Sequence, residues 1–402
     1  MSHHVFEAAE LLSEAGTVRD LAARHAADAD RTGSLSPAVV RAASEAGFAR
    51  HFVPRRWGGS EGTFAALLDA VATVGEGCAA TAWVASLTSS AARIAAFLPE
   101  EGQAELWDRG PDVLMSGALI PSGRARRVDG GWRVSGEWPY TSGVGFSDWA
   151  LACAPAAAGQ DSAPYFFAVP KSAYRIVGTW FNVGMRATGS DTLVLEDVFV
   201  PGHLAVPRSA VWDGVPSAAA PNLRVPMRSV NGLTFCGPVL GAAAGGLDAW
   251  SAWMSQKADI SIATARGPAR EKPSVQVALA RTAGEIDAAR LLLERAARLA
   301  DTGSVSPGGV ARSGRDCALA ADLCVAAVDR IFRAGGTRGQ SQDNQIQRVW
   351  RDVNAAASHV MLQFEVAGAA YSEQLFRTLA GNADADVNVN ANGAGAAGAV
   401  AV

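Results

Sequence analysis

The sequence predicts an α+β fold in which a helical region, a small antiparallel β domain and a second helical bundle follow one another. Three successive patterns predict it. Apolar residues recur at helical spacing up to about residue 110, short apolar runs separated by turns follow, and long segments with one apolar face then return. We therefore expect an N-terminal helical domain over 1–111, a β domain with a linker over 112–221, and a helical bundle over 222–381.

The N-terminal helices are bounded by recognisable end signals. Ser36 and Pro37 form an N-cap followed by a proline at the first helical position, and Gly47 ends that helix. Trp57-Gly58-Gly59-Ser60 predicts a turn. Helices are then expected over 64–75, 79–97 and 100–107.

The central region has the pattern of an antiparallel sheet. Runs such as WRVSGEW, DWALACA and TLVLEDVFV are separated by turns, and Asp129-Gly130-Gly131 predicts a hairpin. Five prolines between 201 and 226 then mark a linker to the second helical region.

The C-terminal region predicts long amphipathic helices over 273–301 and 342–380. Residues 257–272 are expected to form an exposed connection, and 303–314 a loop rich in Gly, Ser and Pro. The segment 382–402 is low in complexity and is expected to be disordered, because it offers little apolar surface to bury.

Composition and charge exclude several classes of function. The 402 residues include 35 Lys+Arg and 39 Asp+Glu, so no basic excess is available for a nucleic-acid backbone. The five cysteines form no CxxC pair, which argues against a zinc site and a disulfide framework and favours a reducing compartment. We see neither a signal peptide nor an uncharged apolar run of membrane-spanning length. A soluble cytoplasmic protein without metal is expected.

The chain has no pattern typical of a protein-borne nucleophile or nucleotide site. There is no GxSxG, HExxH or Walker A motif, and the Gly-rich string at 334–337 follows a helix, unlike a Rossmann fingerprint. Since cofactors carry chemistry that side chains cannot, a bound cofactor is the expected alternative.

Histidine is rare enough to single out one residue. Of six histidines, His359 lies in the predicted C-terminal helix, where it would share a face with Asp352 and Arg348. Two interpretations stay open on spacing alone: a packing histidine satisfied by a neighbouring carbonyl, or an active-site imidazole.

The most specific segment is VGMRATGSDTLVLEDVFVP at 183–201, a hydroxyl-rich loop feeding a strand that ends in proline. It resembles the acyl-CoA dehydrogenase superfamily, as do the turn GEWPYTSG at 136–143 and the helix opening PVLGAAAGGLDAW at 238–250. The resemblance implies an N-terminal helical domain, a central antiparallel β domain, a C-terminal four-helix bundle and a flavin.

One departure points to a particular branch of that superfamily. The Y-E-G-T-like string that carries the dehydrogenases' catalytic Glu is missing, whereas Trp350, Arg351, Asp352 and His359 and the Trp138–Gly143 turn are similar to two-component flavin monooxygenases. Within that branch FARHFVP, ATAWVASLTSS, FLPEEGQAELW and DAARLLLER resemble aromatic polyketide hydroxylases of quinone antibiotic pathways.

The resemblance implies a reaction and its partners. A separate NAD(P)H:flavin reductase would supply reduced FMN, with FADH2 as an alternative, and O2 would form a flavin C4a-hydroperoxide that hydroxylates a phenolic polyketide. A homotetramer is also implied. Two other functions stay open: an FAD-dependent acyl-CoA dehydrogenase and an N-oxygenase acting on an amino sugar.

Site residues follow from the same resemblance. Ser142 corresponds to a serine beside flavin N5, or is simply a turn hydroxyl, and His359 would act as a base near the substrate oxygen. Trp83 would line the substrate pocket, or is core. The expected flavin contacts are Trp138, Tyr140, Thr141, Ser142, Arg186, Thr188, Gly189 and Ser190, with Gly336, Arg338 and Arg266 on the phosphate side, unless these three belong to a helix end and a solvated loop.

Overall fold

A computed structural model describes residues 8–158, 161–257 and 268–394. Five helices come first, and Ser36 Oγ accepts a hydrogen bond from the Val39 backbone N–H at the start of the second, which confirms the predicted cap. The helices are α1 (Ala8–Thr32), α2 (Pro37–Glu45), α3 (Phe64–Gly77), α4 (Ala79–Ala95) and α5 (Glu100–Leu106).

Eight strands form one sheet in the order β6-β7-β3-β2-β4-β5-β8, with β1 paired to β4. Gly130 has a φ of +73° in the turn that joins β2 to β3, as the predicted hairpin requires. The strands are β1 (Met115–Ala118), β2 (Arg124–Val128), β3 (Gly131–Thr141), β4 (Trp149–Ala158), β5 (Asp161–Pro170), β6 (Arg175–Val177), β7 (Asp191–Pro201) and β8 (Ala205–Pro207).

The sheet is mixed rather than purely antiparallel, which corrects one expectation. Strand β4 runs parallel to both β1 and β2. The reason is topological: the chain leaves β3, reverses through the loop at 142–148, and returns on the far side of β2. Strands β2 and β3 form an antiparallel hairpin. After the reversal β4 runs opposite to β3, so it is parallel to β2.

In the described part of the chain after the sheet there are seven α-helices, and the long ones pack side by side as the bundle. Helix α8 has the length and apolar composition of a membrane span, contrary to expectation, but 83% of that window is buried inside the structure. The helices are α6 (Arg208–Asp213), α7 (Pro221–Arg224), α8 (Met227–Gln256), α9 (Pro273–Asp301), α10 (Pro307–Gly335), α11 (Gln345–Ala357) and α12 (Phe364–Ala394).

The C-terminal boundaries differ from the prediction in three places. The expected helix over 342–380 is two helices, because a short 3-10 turn at Val360–Leu362 interrupts it after Ala357. The loop expected over 303–314 is shorter, because its fourth residue, Ser306, is already the N-cap of α10. The expected disordered tail is helical as far as Ala394, because adding residues to an existing helix costs little, while 395–402 lie outside the described residues.

Buried contacts join the bundle to the β domain at the loop before β7. One carboxylate oxygen of Asp352, on α11, accepts a hydrogen bond from the Met185 backbone N–H at 2.6 Å. Met185 has a left-handed φ of +53°, which a side chain tolerates only when the surroundings hold it. Arg351 forms an ion pair with Asp30 of α1 at 2.7 Å, so α1, α11 and the loop are tied at one point.

The Asp352 carboxyl makes the stability of the folded protein depend on pH. Burial raises the pKa of Asp352 to about 6, so between pH 6 and pH 4 the folded protein binds a proton that the unfolded chain does not. This group therefore contributes more stability as the pH falls through 6, and its ionised form at pH 7 is the less stable one.

We expect Asp352→Asn to stabilise the protein at pH 7 by on the order of 2 kcal/mol, because the amide oxygen still accepts from Met185 without a buried charge. The gain should shrink as the pH falls towards 4. Thermal melts of both proteins across that range measure it. The control Asp352→Leu removes the acceptor and should destabilise at every pH, and a constant gain for Asp352→Asn would contradict the assigned pKa.

Candidate active site

The turn after β3 presents Ser142 between two residues in left-handed conformation. Tyr140 has a φ of +62° and Gly143 a φ of +73°, and the Tyr140 ring is 73% exposed. The Gly143 backbone N–H donates to the Thr188 carbonyl oxygen at 2.8 Å. This contact sets the turn against the loop that precedes β7, so the two segments with the most specific sequence patterns lie side by side.

The loop before β7 brings a set of hydroxyls to that contact. Thr188 Oγ1 donates to the Met185 carbonyl oxygen at 2.9 Å and lies 2.7 Å from Ser190 Oγ. Ser190 Oγ in turn lies 2.7 Å from Ser142 Oγ. Both Thr188 and Ser190 are buried, whereas Ser142 is half-buried. A chain of three hydroxyls therefore runs from the loop to the turn and ends at the accessible Ser142.

Trp83 on α4 completes the surroundings of Ser142. Its indole Nε1 donates to Ser142 Oγ at 3.1 Å. The ring also packs against Phe235 of α8 at a centroid distance of 5.1 Å. Trp83 thus contacts the hydroxyl chain directly, and the substrate-pocket position predicted for it stays a prediction.

His359 lies against the same aromatic residues. Its ring stacks on Phe235 at a centroid distance of 3.8 Å and stands edge-on to Trp83 at 5.9 Å. The prediction that His359 lies inside a helix is wrong. The residue caps the 3-10 turn after α11, so it does not share a helix face with Asp352 or Arg348. Its Nδ1 accepts the Met361 backbone N–H at 3.2 Å.

The state of the His359 ring follows from that hydrogen bond. Burial lowers its pKa to about 4, so the ring is neutral at physiological pH. A neutral imidazole carries one proton, and Nδ1 is occupied as an acceptor, so the proton resides on Nε2. His359 therefore offers an N–H donor beside Trp83 and Phe235.

Other predicted residues lie at varying distances from this centre. Trp138 and Thr141 are buried in the protein core. Trp138 Nε1 donates to the Cys153 carbonyl oxygen at 2.7 Å, and Thr141 Oγ1 donates to the Trp138 carbonyl oxygen at 2.9 Å. The Trp138 side chain is therefore in the core instead of on the site, because strand alternation turns it inward. Tyr140 is on the exposed side of the turn, 6.2 Å from the Trp180 ring.

The remaining residues expected to contact the flavin, two from the loop before β7 and three on the phosphate side, are scattered. Arg186 is exposed and lies 3.9 Å from Asp30, while Gly189 is left-handed with open space around its α-carbon. Gly336 and Arg338 are exposed at the end of α10, and Arg266 lies outside the described residues. The phosphate-side contact predicted for Gly336 and Arg338 stays a prediction.

Two aromatic neighbours were not predicted from the sequence. Phe235 lies within the uniformly apolar α8, where no periodic signal separates a site residue from the core. Trp180 precedes the specific loop, and its Nε1 donates to the Met185 carbonyl at 2.9 Å. The sequence signal that could have indicated Trp180 was a bulky aromatic residue five positions before Met185.

The residues present fit a flavin. Ser142 offers a half-buried hydroxyl oxygen at the end of a satisfied chain, and the exposed rings of Tyr140 and Phe181 lie on the segments that meet there. Planar heteroaromatic rings favour such a combination of aromatic surface and a few placed polar atoms. Within the described ranges no group of three His, Cys, Asp or Glu side chains is arranged to hold a metal ion.

Comparisons with known proteins identify the family of the chain. Residues 12–108 match the acyl-CoA dehydrogenase N-terminal domain and 233–364 the C-terminal domain of that family. The chain is 33% identical to the oxygenase component of an FADH(2)-dependent resorcinol hydroxylase from Rhizobium sp., over 80% of this chain and 83% of the relative. It is 32% identical to the flavin-dependent monooxygenase oxygenase subunit HsaA from Mycobacterium tuberculosis, over 81% and 84%.

Solved structures give the same result. XiaF from Streptomyces sp., in complex with FADH2 and glycerol, superposes with a TM-score of 0.86 and 27% identity, covering 92% of this chain and 95% of that one. The predicted fold and cofactor class are thereby confirmed. The chain belongs to the flavin-dependent monooxygenase oxygenase components with the acyl-CoA dehydrogenase fold.

Proposed function

We propose that this protein is the oxygenase component of a two-component system that hydroxylates a phenolic aromatic polyketide in antibiotic biosynthesis. One observation carries the proposal. Ser142, at the end of its hydroxyl chain, and the neutral His359, stacked on Phe235, both contact Trp83. Relatives named as hydroxylases of resorcinol and of p-hydroxyphenylacetate support a phenolic substrate. The segments resembling polyketide hydroxylases support the finer class.

A reduced flavin, when bound, would supply the activation of O2. Ser142 would hold its ring, Trp83 and Phe235 would exclude water, and His359 would form a hydrogen bond with the substrate oxygen. Excluding water matters because activated oxygen is otherwise lost as hydrogen peroxide. Reduced FMN is the flavin we propose, and FADH2 is the alternative that two relatives' names favour.

For the His359 ring we propose a role different from the base predicted for it. Because Nδ1 accepts from Met361 and Nε2 carries the proton, the ring has no free lone pair with which to take a proton from a phenol. It can instead donate from Nε2 to the substrate oxygen. A donated hydrogen bond stabilises a phenolate, which is the more nucleophilic form of the substrate.

The pure protein should hydroxylate a phenol when given reduced flavin and O2, and should not oxidise NADH or NADPH by itself. The experiment mixes it with pre-reduced FMN or FADH2, oxygen and resorcinol, and compares hydroxylated product with hydrogen peroxide. Ser142→Ala is the matched variant and should shift the balance towards hydrogen peroxide. Sustained NADPH oxidation by the pure protein would contradict the two-component assignment.

Two substitutions separate a donor from a base at His359. His359→Gln keeps an N–H donor and should retain most of the hydroxylation rate, whereas His359→Ala should slow it roughly 10–100-fold, since a hydrogen bond to a charged oxygen is lost. Hydrogen peroxide release without substrate should change in neither variant. Since the ring stays neutral above its pKa of about 4, its state should not change the rate between pH 6 and 8. Equal losses in both variants would support the base.

We also propose a homotetramer, as the family resemblance implies. Large apolar side chains are exposed on two bundle helices, among them Val277 and Leu291 on α9 and Phe376 on α12. Exposed large apolar side chains become buried when subunits associate, which is why we assign these helices to the interface. Light scattering at micromolar concentration should give a four-chain mass, and a monomer mass would contradict the proposal.

A further inference from the structure

The hydroxyl chain has a fixed direction, which follows from its first acceptor. A carbonyl oxygen carries no proton, so Thr188 Oγ1, 2.9 Å from the Met185 carbonyl, donates to it. A hydroxyl has a single proton, so Thr188 has none left for Ser190, 2.7 Å away. Ser190 is therefore the donor in that hydrogen bond, and Thr188 the acceptor.

The same reasoning continues to the accessible end. Ser190 uses its proton on Thr188, so Ser142, 2.7 Å away, donates to Ser190. On its other side Ser142 Oγ accepts from Trp83 Nε1, a group that can only donate. Ser142 thus spends its proton inside the chain and presents one remaining lone pair. Towards a ligand it is an acceptor and not a donor.

Burial keeps the direction from reversing. Thr188 is 1% and Ser190 3% exposed, so water cannot supply substitute partners. The Met185 carbonyl is itself fixed, because Trp180 Nε1 also donates to it at 2.9 Å. If the Thr188 proton pointed to Ser190 instead, Thr188 Oγ1 and the Met185 carbonyl oxygen would face each other at 2.9 Å with no proton between them.

This direction matters for the redox state of a flavin. Reduced flavin carries a hydrogen on N5, whereas N5 of oxidised flavin is a bare acceptor. We propose that Thr188 and Ser190 are positioning residues that orient the Ser142 proton away from the ligand, so that the site selects reduced over oxidised flavin. The proposal rests on the proposed function and on the position beside N5 that the family resemblance implies for Ser142.

Binding of the two redox states tests it. Dissociation constants of oxidised FMN, and of reduced FMN under anaerobic conditions, are measured by titration of the full chain. In Thr188→Val the Ser190 proton can turn to Ser142, which frees the Ser142 proton for the ligand, and Ser190→Ala frees it directly. Both variants should bind oxidised FMN about tenfold more tightly, so the ratio of the two constants falls.

Two controls separate orientation from general damage. Thr188→Ser keeps the donor and should restore the wild-type ratio. Ser147→Ala removes another buried hydroxyl of the same turn, which donates to the Gly143 carbonyl at 2.9 Å outside the chain, and should leave the ratio unchanged. A purely structural role for Thr188 would weaken the binding of both redox states and could not tighten one of them.

The possible failures are distinguishable. If the wild type hydroxylates resorcinol with reduced flavin but Thr188→Val and Ser190→Ala leave the ratio unchanged, or weaken both states, the orientation is wrong and the proposed function stands. If the wild type binds neither redox state of FMN or FAD, the proposed function is wrong and the inference falls with it.

Discussion

The peptide groups on either side of Met185 connect the bundle to the site. The N–H of Met185 is held by the Asp352 carboxylate of α11, and its carbonyl oxygen is the end of the hydroxyl chain that leads to Ser142. The residue itself is left-handed, a conformation that its surroundings hold, and Trp180 Nε1 also donates to its carbonyl oxygen. The position of a helix on the bundle therefore determines where the Thr188 acceptor lies, and through it how Ser142 is oriented.

Close approach of backbones makes this connection possible. A β-carbon on Gly184 would lie 2.2 Å from the Arg351 carbonyl oxygen, so only glycine lets the loop reach α11. Arg351 then donates to the Val183 carbonyl as well as to Asp30. Because the Arg351 and Asp30 side chains are largely removed from water, leaving either without its charged partner would be costly, which favours this arrangement over others.

Sequence reasoning found the polar half of the site better than the aromatic half. Ser142, Thr188 and Ser190 belong to segments with a specific pattern, and the structure brings all three together. Phe235 could not be found, because burial of every face of α8 removes the periodicity that would mark it. For His359 the apolar spacing continues across the break after Ala357, so the pattern predicted one helix and concealed the cap that sets the ring's tautomer.

Trp83 joins the two halves physically. Its indole N–H donates to Ser142, the residue proposed to face the flavin, while its ring stands edge-on to His359, the residue proposed to face the substrate. Neither Ser142 nor His359 carries a charge at neutral pH, so the groups of the site act by hydrogen-bond direction rather than by ionisation. Direction depends on position to within a fraction of an ångström. A rigid indole shared by both residues is therefore a physical reason why the flavin side and the substrate side keep a fixed relation to each other.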